Sequence, residues 1–360
     1  MNNYSAAPVI EKYNRRIGLI LARNWALFFL FLSITVFSFT GTNFLALNNF
    51  QNIIHLSVVF LLLASAETFV IITGGIDLSI GFVMGLSSVL SATVMKAMHA
   101  GLSPQVLSIL GGCIVGIAVS IIPGLINGTL ITRFRVPPFI ATLGMWGVTN
   151  GVTLRICQGF PVSFLPPKLV EIGNGYLIYI LPGKSITFFN RPAGSDDSLI
   201  REFIRVIPNS FIFLIIVVGI LLYLLKNTKF GQHTYAIGGS MDAAVRSGIN
   251  VNGHLLKIYV LSSFLAGLAG VFNVFQTGTG NFTPFNAMYE LFAIAAVVIG
   301  GASLMGGKGR LFGSFIGVIL IGVLENGLSL SGVEPFYRFI AVGLILIIAV
   351  VIDQLFPDLF

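Results

Sequence analysis

The chain has 360 residues, of which 56% are hydrophobic and 9% charged, against about 25% charged in an average soluble protein. About 200 apolar residues exceed what water-soluble domains of this length can bury, and at about 20 residues per membrane-spanning helix they suffice for about ten spans. A cytosolic enzyme is excluded. The formal charge of +7 would suggest nucleic acid in a soluble protein, but here the basic residues sit in short loops between apolar runs. They report topology, and no nucleic-acid partner is expected.

Apolar runs near span length predict helices at 18–40, 54–73, 79–97, 105–132, 137–156, 209–226, 256–276, 287–305, 311–332 and 335–353. The expected fold class is an all-α polytopic membrane protein of about ten transmembrane helices in the lipid bilayer. Lys12, Arg15, Arg16 and Arg23 precede or open the first run, and no small-x-small cleavage pattern follows it. Residues 1–17 are therefore expected as a cytoplasmic tail, 18–353 as the membrane domain beginning with an uncleaved span, and 354–360 as a second cytoplasmic tail. An even number of spans puts both termini on one side. Arg133, Arg135, Lys226, Lys229, Arg246, Lys257, Lys308 and Arg310 fall on that same side, which the positive-inside rule makes cytoplasmic. The segment from Thr73 to Ser79 is where a re-entrant stretch would interrupt this scheme.

Residues 157–208 form a long outer loop. Within it, Ser195 to Ile207 predicts an amphipathic interfacial helix, with Leu199, Ile200, Phe203, Ile204 and Ile207 on one face and Arg201, Glu202 and Arg205 opposite. Residues 227–255 form the largest loop on the cytoplasmic side. There Ser240 can cap a short helix, Asp242 suits its positive first turn and Gly248 can end it. Met241, Ala244 and Val245 would share a face. Two helical turns are too short to be stable alone, so this helix needs a partner: its own membrane domain or a groove on a cytosolic subunit.

Several of the 41 glycines lie inside spans, where they permit close helix approach. Gly112-x-x-x-Gly116, Gly124-x-x-x-Gly128 and Gly313-x-x-x-Gly317 supply such faces, and Pro123 should kink the fourth span. Gly124 to Gly144 weakly resembles Gly322 to Gly343, which suggests an inverted repeat relating spans 2–5 to 7–10 and favours a transporter.

Chemistry-bearing motifs are sparse. The stretch Gly301 to Gly309 lacks the register of a phosphate-binding loop, because Ala302 stands where its first glycine belongs and Gly309 replaces the magnesium-binding hydroxyl. His55, His99, His233 and His254 show no metal-ligand spacing, and Cys113 and Cys157 read as inert packing thiols. Ionisable residues inside spans are costly and thereby informative: Glu67, Arg155, Glu290 and Glu325, with Asp77 expected at a membrane boundary, capping the third span. Asn127, Asn150 and Asn326 offer hydrogen bonds suited to hydroxyl groups. Asp77, Asn127, Asn150, Glu290 and Asn326 are the candidates for a translocation path or gate.

The cytoplasmic loop with Tyr235-Ala-Ile-Gly-Gly239 through Ile249 resembles the loop by which permeases of ATP-binding-cassette importers contact their ATPase, in the ribose-, galactose- and xylose-type sugar family. Other motifs follow in the family's order: Thr73-Gly-Gly-Ile-Asp77-Leu-Ser79-Ile-Gly81, Asn127 through Arg133-Phe-Arg135 to Gly144, Tyr289-Glu290 through Gly301, and Gly306-Gly-Lys-Gly-Arg310. The resemblance runs from about residue 40 to 353 and is weak at 157–209. Two departures bear on the substrate: Phe292 stands where the family commonly has an acidic residue, and the outer loop is longer than usual around 183–208.

The resemblance implies a permease subunit, not an enzyme, that lines the path of a monosaccharide or related polyol across the bacterial inner membrane. It implies a second copy of the chain as a homodimer, a cytosolic ATPase of double-cassette type and a periplasmic sugar-binding protein. ATP and magnesium would be used by that ATPase, with no cofactor held here. Gly239, Ser240, Asp242, Ala243, Ala244, Arg246 and Gly248 would carry the coupling to it. An ion-gradient-coupled carrier and a nucleoside-type permease are the alternatives.

Overall fold

The computed structural model describes residues 25–181, 185–189, 204–282, 288–334 and scattered positions from 336 to 351. The expected tails at 1–17 and 354–360, most of the run at 335–353 and residues 195–203 of the expected amphipathic helix lie outside them. In chain order the described elements are α1 (Trp25–Thr40), α2 (Leu47–Ile72), α3 (Ile80–Ala100), α4 (Gln105–Thr132), α5 (Pro138–Cys157), α6 (Pro167–Gly173), β1 (Ile178–Leu181), β2 (Ser185–Phe188), β3 (Ile204–Arg205), α7 (Asn209–Asn227), α8 (Lys229–Gly239), α9 (Met241–Arg246), α10 (Val251–Thr277), α11 (Tyr289–Ile299) and α12 (Leu311–Leu330). Six of them, α2, α3, α4, α7, α10 and α12, are long and apolar enough to cross a membrane. The protein is a mostly helical polytopic membrane protein.

The centre of the bundle is α2. Every residue from Leu61 to Ile72 is buried, as expected of a helix that is apolar all round and surrounded by others. It packs on α10, α11, α12 and α7, and α4 in turn packs on α3 and α10. The three predicted glycine pairs each seat a different neighbour. A β-carbon at Gly112 or Gly116 would collide with Ser91 of α3, one at Gly124 or Gly128 with the backbone of α10 at Tyr259 and Leu256, and one at Gly317 with the Ala296 carbonyl of α11. In lipid, where no hydrophobic force drives helices together, such close approach is the main source of attraction.

Three expectations need correction. The predicted span at 287–305 is the short helix α11, whose 11 residues extend only about 16 Å. It ends because Gly300 and Gly301 turn the chain. Gly301, Gly306 and Gly307 all take positive φ, and the Gly307 amide donates to the Ile72 carbonyl at 2.8 Å. Second, α5 matches the predicted span at 137–156 in extent, yet it is not among the six, because Thr142, Thr149, Asn150, Thr153 and Arg155 dilute its apolar run.

Third, the fold is not purely helical. The loop expected at 157–208 holds a three-stranded antiparallel sheet of order β2-β1-β3, with Ile180 opposite both Ile186 and Ile204. β3 falls within the stretch predicted as an amphipathic helix. Its backbone is claimed from outside: Gln51 of α2 donates to the carbonyls of Arg205 at 2.5 Å and Val206 at 3.2 Å. Tertiary hydrogen bonds outweigh a local helical pattern that has no packed face of its own.

Gly270 of α10 sits against the Met84 carbonyl of α3, whereas Gly144 of α5 has open space around it. Gly270→Val is expected to lower the stability of the detergent-purified protein by about 1–3 kcal/mol through overpacking, read as a lower thermal midpoint. Gly144→Val is expected to leave the midpoint unchanged, and equal midpoints for both variants would contradict this account of the helix crossings.

Candidate functional site

The stretch from the end of α7 into α10 is built from three successive capped helices. Thr228 caps α8 by accepting from the Gly231 amide, Ser240 caps α9 by accepting from the Ala243 amide at 3.3 Å, and Asn250 caps α10 by accepting from the Gly253 amide at 2.9 Å. Each supplies a side-chain oxygen to an amide that the helix itself cannot pair. Asp242 stands in the first turn of α9 and Arg246 in the last, both favourable to the helix dipole. α9 ends as expected at Gly248, at φ +79°. The Gly248 amide donates to Val245 O and the Ile249 amide to Ala244 O at 3.0 and 3.1 Å, which is the Schellman arrangement.

The expected common face of α9 divides. Ala244 is 3% exposed and packs with Ile237 of α8 and Val251 and Leu255 of α10. Met241 and Val245 are 48% and 57% exposed, and Gly239, Asp242, Ala243 and Arg246 are exposed beside them. Ala244 is thus a seat for the helix and not part of an outward contact surface. At six residues α9 needs this anchorage, and it points two large apolar side chains away from the bundle.

α8 fastens the loop to the core. Gly238 lies so close to the Ile72 carbonyl and the Gly307 amide that any β-carbon would displace them, and Gly307 in turn lies against Gly239. Tyr235 Oη donates to the Gly309 carbonyl at 2.7 Å. Burial pushes its phenol pKa above the ordinary range although Arg310 opposes the shift, so it remains a donor at neutral pH. Thr234 Oγ1 and His254 Nε2 lie 2.9 Å apart. The end of α2, the glycine turn after α11, α8 and the start of α10 therefore form one clasp under α9. Sequence reasoning missed Tyr235, Thr234 and Gly238 as fasteners. The paired glycines at 238–239 and 306–307 were the visible signal, since two glycine pairs permit backbone to lie on backbone.

A second constellation lies deeper. Between α2 and α3 the chain leaves the helix for Thr73 to Ser79, and Thr73, Gly75, Asp77 and Ser79 are buried. Asp77 does not cap α3 as expected; it organises this segment. Its Oδ1 accepts from the Ser79 amide at 3.0 Å and the Ser79 hydroxyl at 2.5 Å, and its Oδ2 accepts from Ser262 Oγ of α10 at 2.8 Å. Asn127 of α4 donates to Ser79 Oγ at 3.1 Å and Thr142 of α5 to the Ile76 carbonyl at 3.2 Å. Ser262 stands about 16 Å along α10 from its first residue, so Asp77 is inside the bundle and not at its boundary. Glu67 of α2 is fully buried and faces it.

The other candidates are distributed. Glu290, in the first turn of α11, is buried against Gly81 at the start of α3 and is hydrogen-bonded by Trp146 of α5. The structure therefore brings Asp77, Asn127 and Glu290 together around the start of α3. Asn150 is half-buried on α5. Asn326 is half-buried on α12, with an amide oxygen that has no partner among the described residues. Glu325 lies near Tyr289, and Arg155 is exposed in the last turn of α5. Phe292 is buried and packs on Phe60 and Phe339. Among the described residues no three His, Cys, Asp or Glu side chains are placed to share a metal ion.

Comparison with known proteins adds a family. Residues 49–350 match the family described as the permease component of the branched-chain amino acid transport system. The chain is 39% identical to the ribose import permease of Bacillus subtilis (strain 168), over 90% of each chain. It is 34% identical to the D-allose transport system permease of Escherichia coli (strain K12), over 96% of this chain and 95% of the relative. It is 32% identical to the galactose/methyl galactoside import permease of Haemophilus influenzae (strain ATCC 51907 / DSM 11121 / KW20 / Rd), over 93% and 95%. No solved structure matches.

Asp77→Ala is expected to strand the Ser262 hydroxyl and the Ser79 amide and to cost about 1–3 kcal/mol, seen as a lower thermal midpoint of the purified protein. Asp77→Asn, which keeps an acceptor oxygen, should recover part of the loss. An Asp77→Ala variant as stable as the parent would overturn the role assigned to this carboxyl.

Proposed function

The chain belongs to this family of transport-system permeases, as a transport component and not an enzyme, and on that premise we propose that it forms the membrane path of an ATP-binding-cassette importer for a monosaccharide or related polyol. The sugar class rests on relatives named for ribose, D-allose and galactose import. The coupling mechanism rests on one observation: α9 is rigidly seated through Ala244 yet presents Met241 and Val245 outward. Exposed apolar side chains on a short, well-anchored helix fit a hydrophobic groove on a partner, here a cytosolic ATPase of double-cassette type.

In this account two copies of the chain line a central path in the bacterial inner membrane, and both termini are cytoplasmic. Beyond the six long helices, α1 and α5 complete the membrane domain, α11 reaches only part way through it, and the sequence segments numbered 2–5 and 7–10 form an inverted repeat. A periplasmic binding protein delivers the sugar to the end that carries the β1–β3 sheet. ATP and magnesium act in the ATPase, whose closure moves α9. The clasp passes that displacement to α10 through Ala244 and Leu255, and to the end of α2 through Gly238. Glu290, Asn127, Asn150 and Asn326 are the polar groups proposed along the path. Asp77 braces the non-helical segment beside it.

Met241→Asp with Val245→Asp is expected to lower ATP-dependent sugar uptake by about tenfold or more in proteoliposomes holding permease, ATPase and binding protein, with membrane insertion unchanged. Uptake at the parental rate would overturn the coupling role of α9. Uptake by the permease alone on a proton or sodium gradient would favour an ion-coupled carrier. ATP-dependent uptake of nucleosides or branched-chain amino acids in place of sugars would keep the importer class and replace the substrate.

A further inference from the structure

α10 carries a stripe that turns away from the bundle centre. Lys257, Leu261, Phe264, Leu268, Phe272 and Phe275 recur at helical spacing along its length. α4 presents Cys113, Ile117, Ile121 and Leu125 at four-residue steps, and these stripes line two apolar cavities facing α7. α7 rests on α2 and α8 and meets α10 through the stacked rings of Phe213 and Phe272, 5.2 Å apart. The cavity nearer the loop with α8 measures about 490 Å³ and the other about 320 Å³.

The larger cavity is apolar except at its mouth. Ile121 and Leu125 of α4, Leu224 of α7, Phe230 of α8 and Phe264 of α10 form its walls, and Lys257 is its charged lining residue. Lys226 and Lys229 are exposed, Lys226 two residues after Leu224 and Lys229 next to Phe230. Asp242 is the one acidic residue between positions 203 and 289, and none occurs between 78 and 170. The mouth therefore carries the charge of Lys257, with no acidic residue in α4, α7, α8 or α10 to offset it, at the end of an apolar slot. A second copy of this chain docked there would set its own lysines against these three, whereas a lipid with an anionic headgroup matches both halves of the site.

We propose that this cavity binds one anionic phospholipid, with an acyl chain along the α4 and α10 stripes and the phosphate held by Lys257 between Lys226 and Lys229. Phe230, which the acyl chain touches, also packs on Phe69 of α2 and His254 of α10, with ring centroids 6.1 and 4.6 Å away. The lipid thus braces the root of α8. The lipid site stands independently of the transport reading; only its effect on coupling depends on that reading.

Native mass spectrometry of the full-length purified permease, offered equal amounts of phosphatidylglycerol and phosphatidylcholine, tests the site. The parent is expected to retain phosphatidylglycerol about fivefold or more over phosphatidylcholine. Lys257→Gln with Lys229→Gln should bring that ratio near unity, and Leu261→Trp, which fills the slot, should reduce total bound lipid. If the tryptophan variant does not yield monodisperse protein, the lysine pair at exposed positions decides. Equal retention of both lipids by the parent, or undiminished preference in the lysine variant, would overturn the site. Disulfide cross-linking of two copies through Leu224→Cys would also overturn it, by showing a protein occupant.

Discussion

Non-helical backbone inside a bilayer has no water to satisfy it, so it persists only where protein supplies the missing partners. The segment from Thr73 to Ser79 is non-helical backbone enclosed within the bundle, and the carboxyl of Asp77 is what holds it. One side chain accepts from the amide two residues ahead, from the Ser79 hydroxyl and from Ser262 on α10. Asn127 and Thr142 complete the enclosure from α4 and α5. Elements that are distant in the chain thereby meet at one point, and the start of α3 is fixed deep in the bundle. Glu290 can then lie over Gly81 only because α11 also begins there. Helix starts that meet around buried side chains supply unpaired polar groups where continuous helices would supply none.

The same segment connects that polar centre to the surface. Ile72, the last residue of α2, gives its carbonyl to Gly307 and lies against Gly238. The distance from the deep carboxyl to the outward-facing Met241 is therefore bridged by backbone packed on backbone and by a small core around Ala244, with few flexible side chains between. Close-packed interiors transmit displacement because their atoms have little room to relax. A six-residue helix that could not exist alone becomes a rigid projection.

Much of this was legible in the sequence, and its failures have physical causes. The caps at Ser240 and Gly248 were readable because they depend on residues within one turn of each other. The glycine pairs on α4 and α12 were readable because four-residue spacing puts both on one face. The face of α9 was misjudged: Met241, Ala244 and Val245 share a helical side by periodicity, but only contact with Ile237 and Leu255 decides that Ala244 turns inward. Asp77 was misplaced at a boundary because hydropathy records how apolar a run is, and not how deep the gap between two runs lies. The strand at Ile204–Arg205 was taken for helix because its partners, Tyr179 and Ile180 of β1 and Gln51 of α2, lie outside the local pattern.

The sequence by itself determined that this protein lives in a membrane, roughly where its apolar runs begin and end, which loops carry positive charge, and which family's motifs it holds in order. Those properties follow from composition and short-range spacing, which act along the chain. Tertiary structure alone decided that one predicted span is a half-length helix, that Asp77, Asn127 and Glu290 converge, and that α4, α7 and α10 leave between them an apolar slot with Lys257 in its lining. Those outcomes depend on which helices touch. In a chain where nearly every helix is apolar enough to pack on any other, contact is settled by the fit of glycine faces and the pairing of a few buried polar groups.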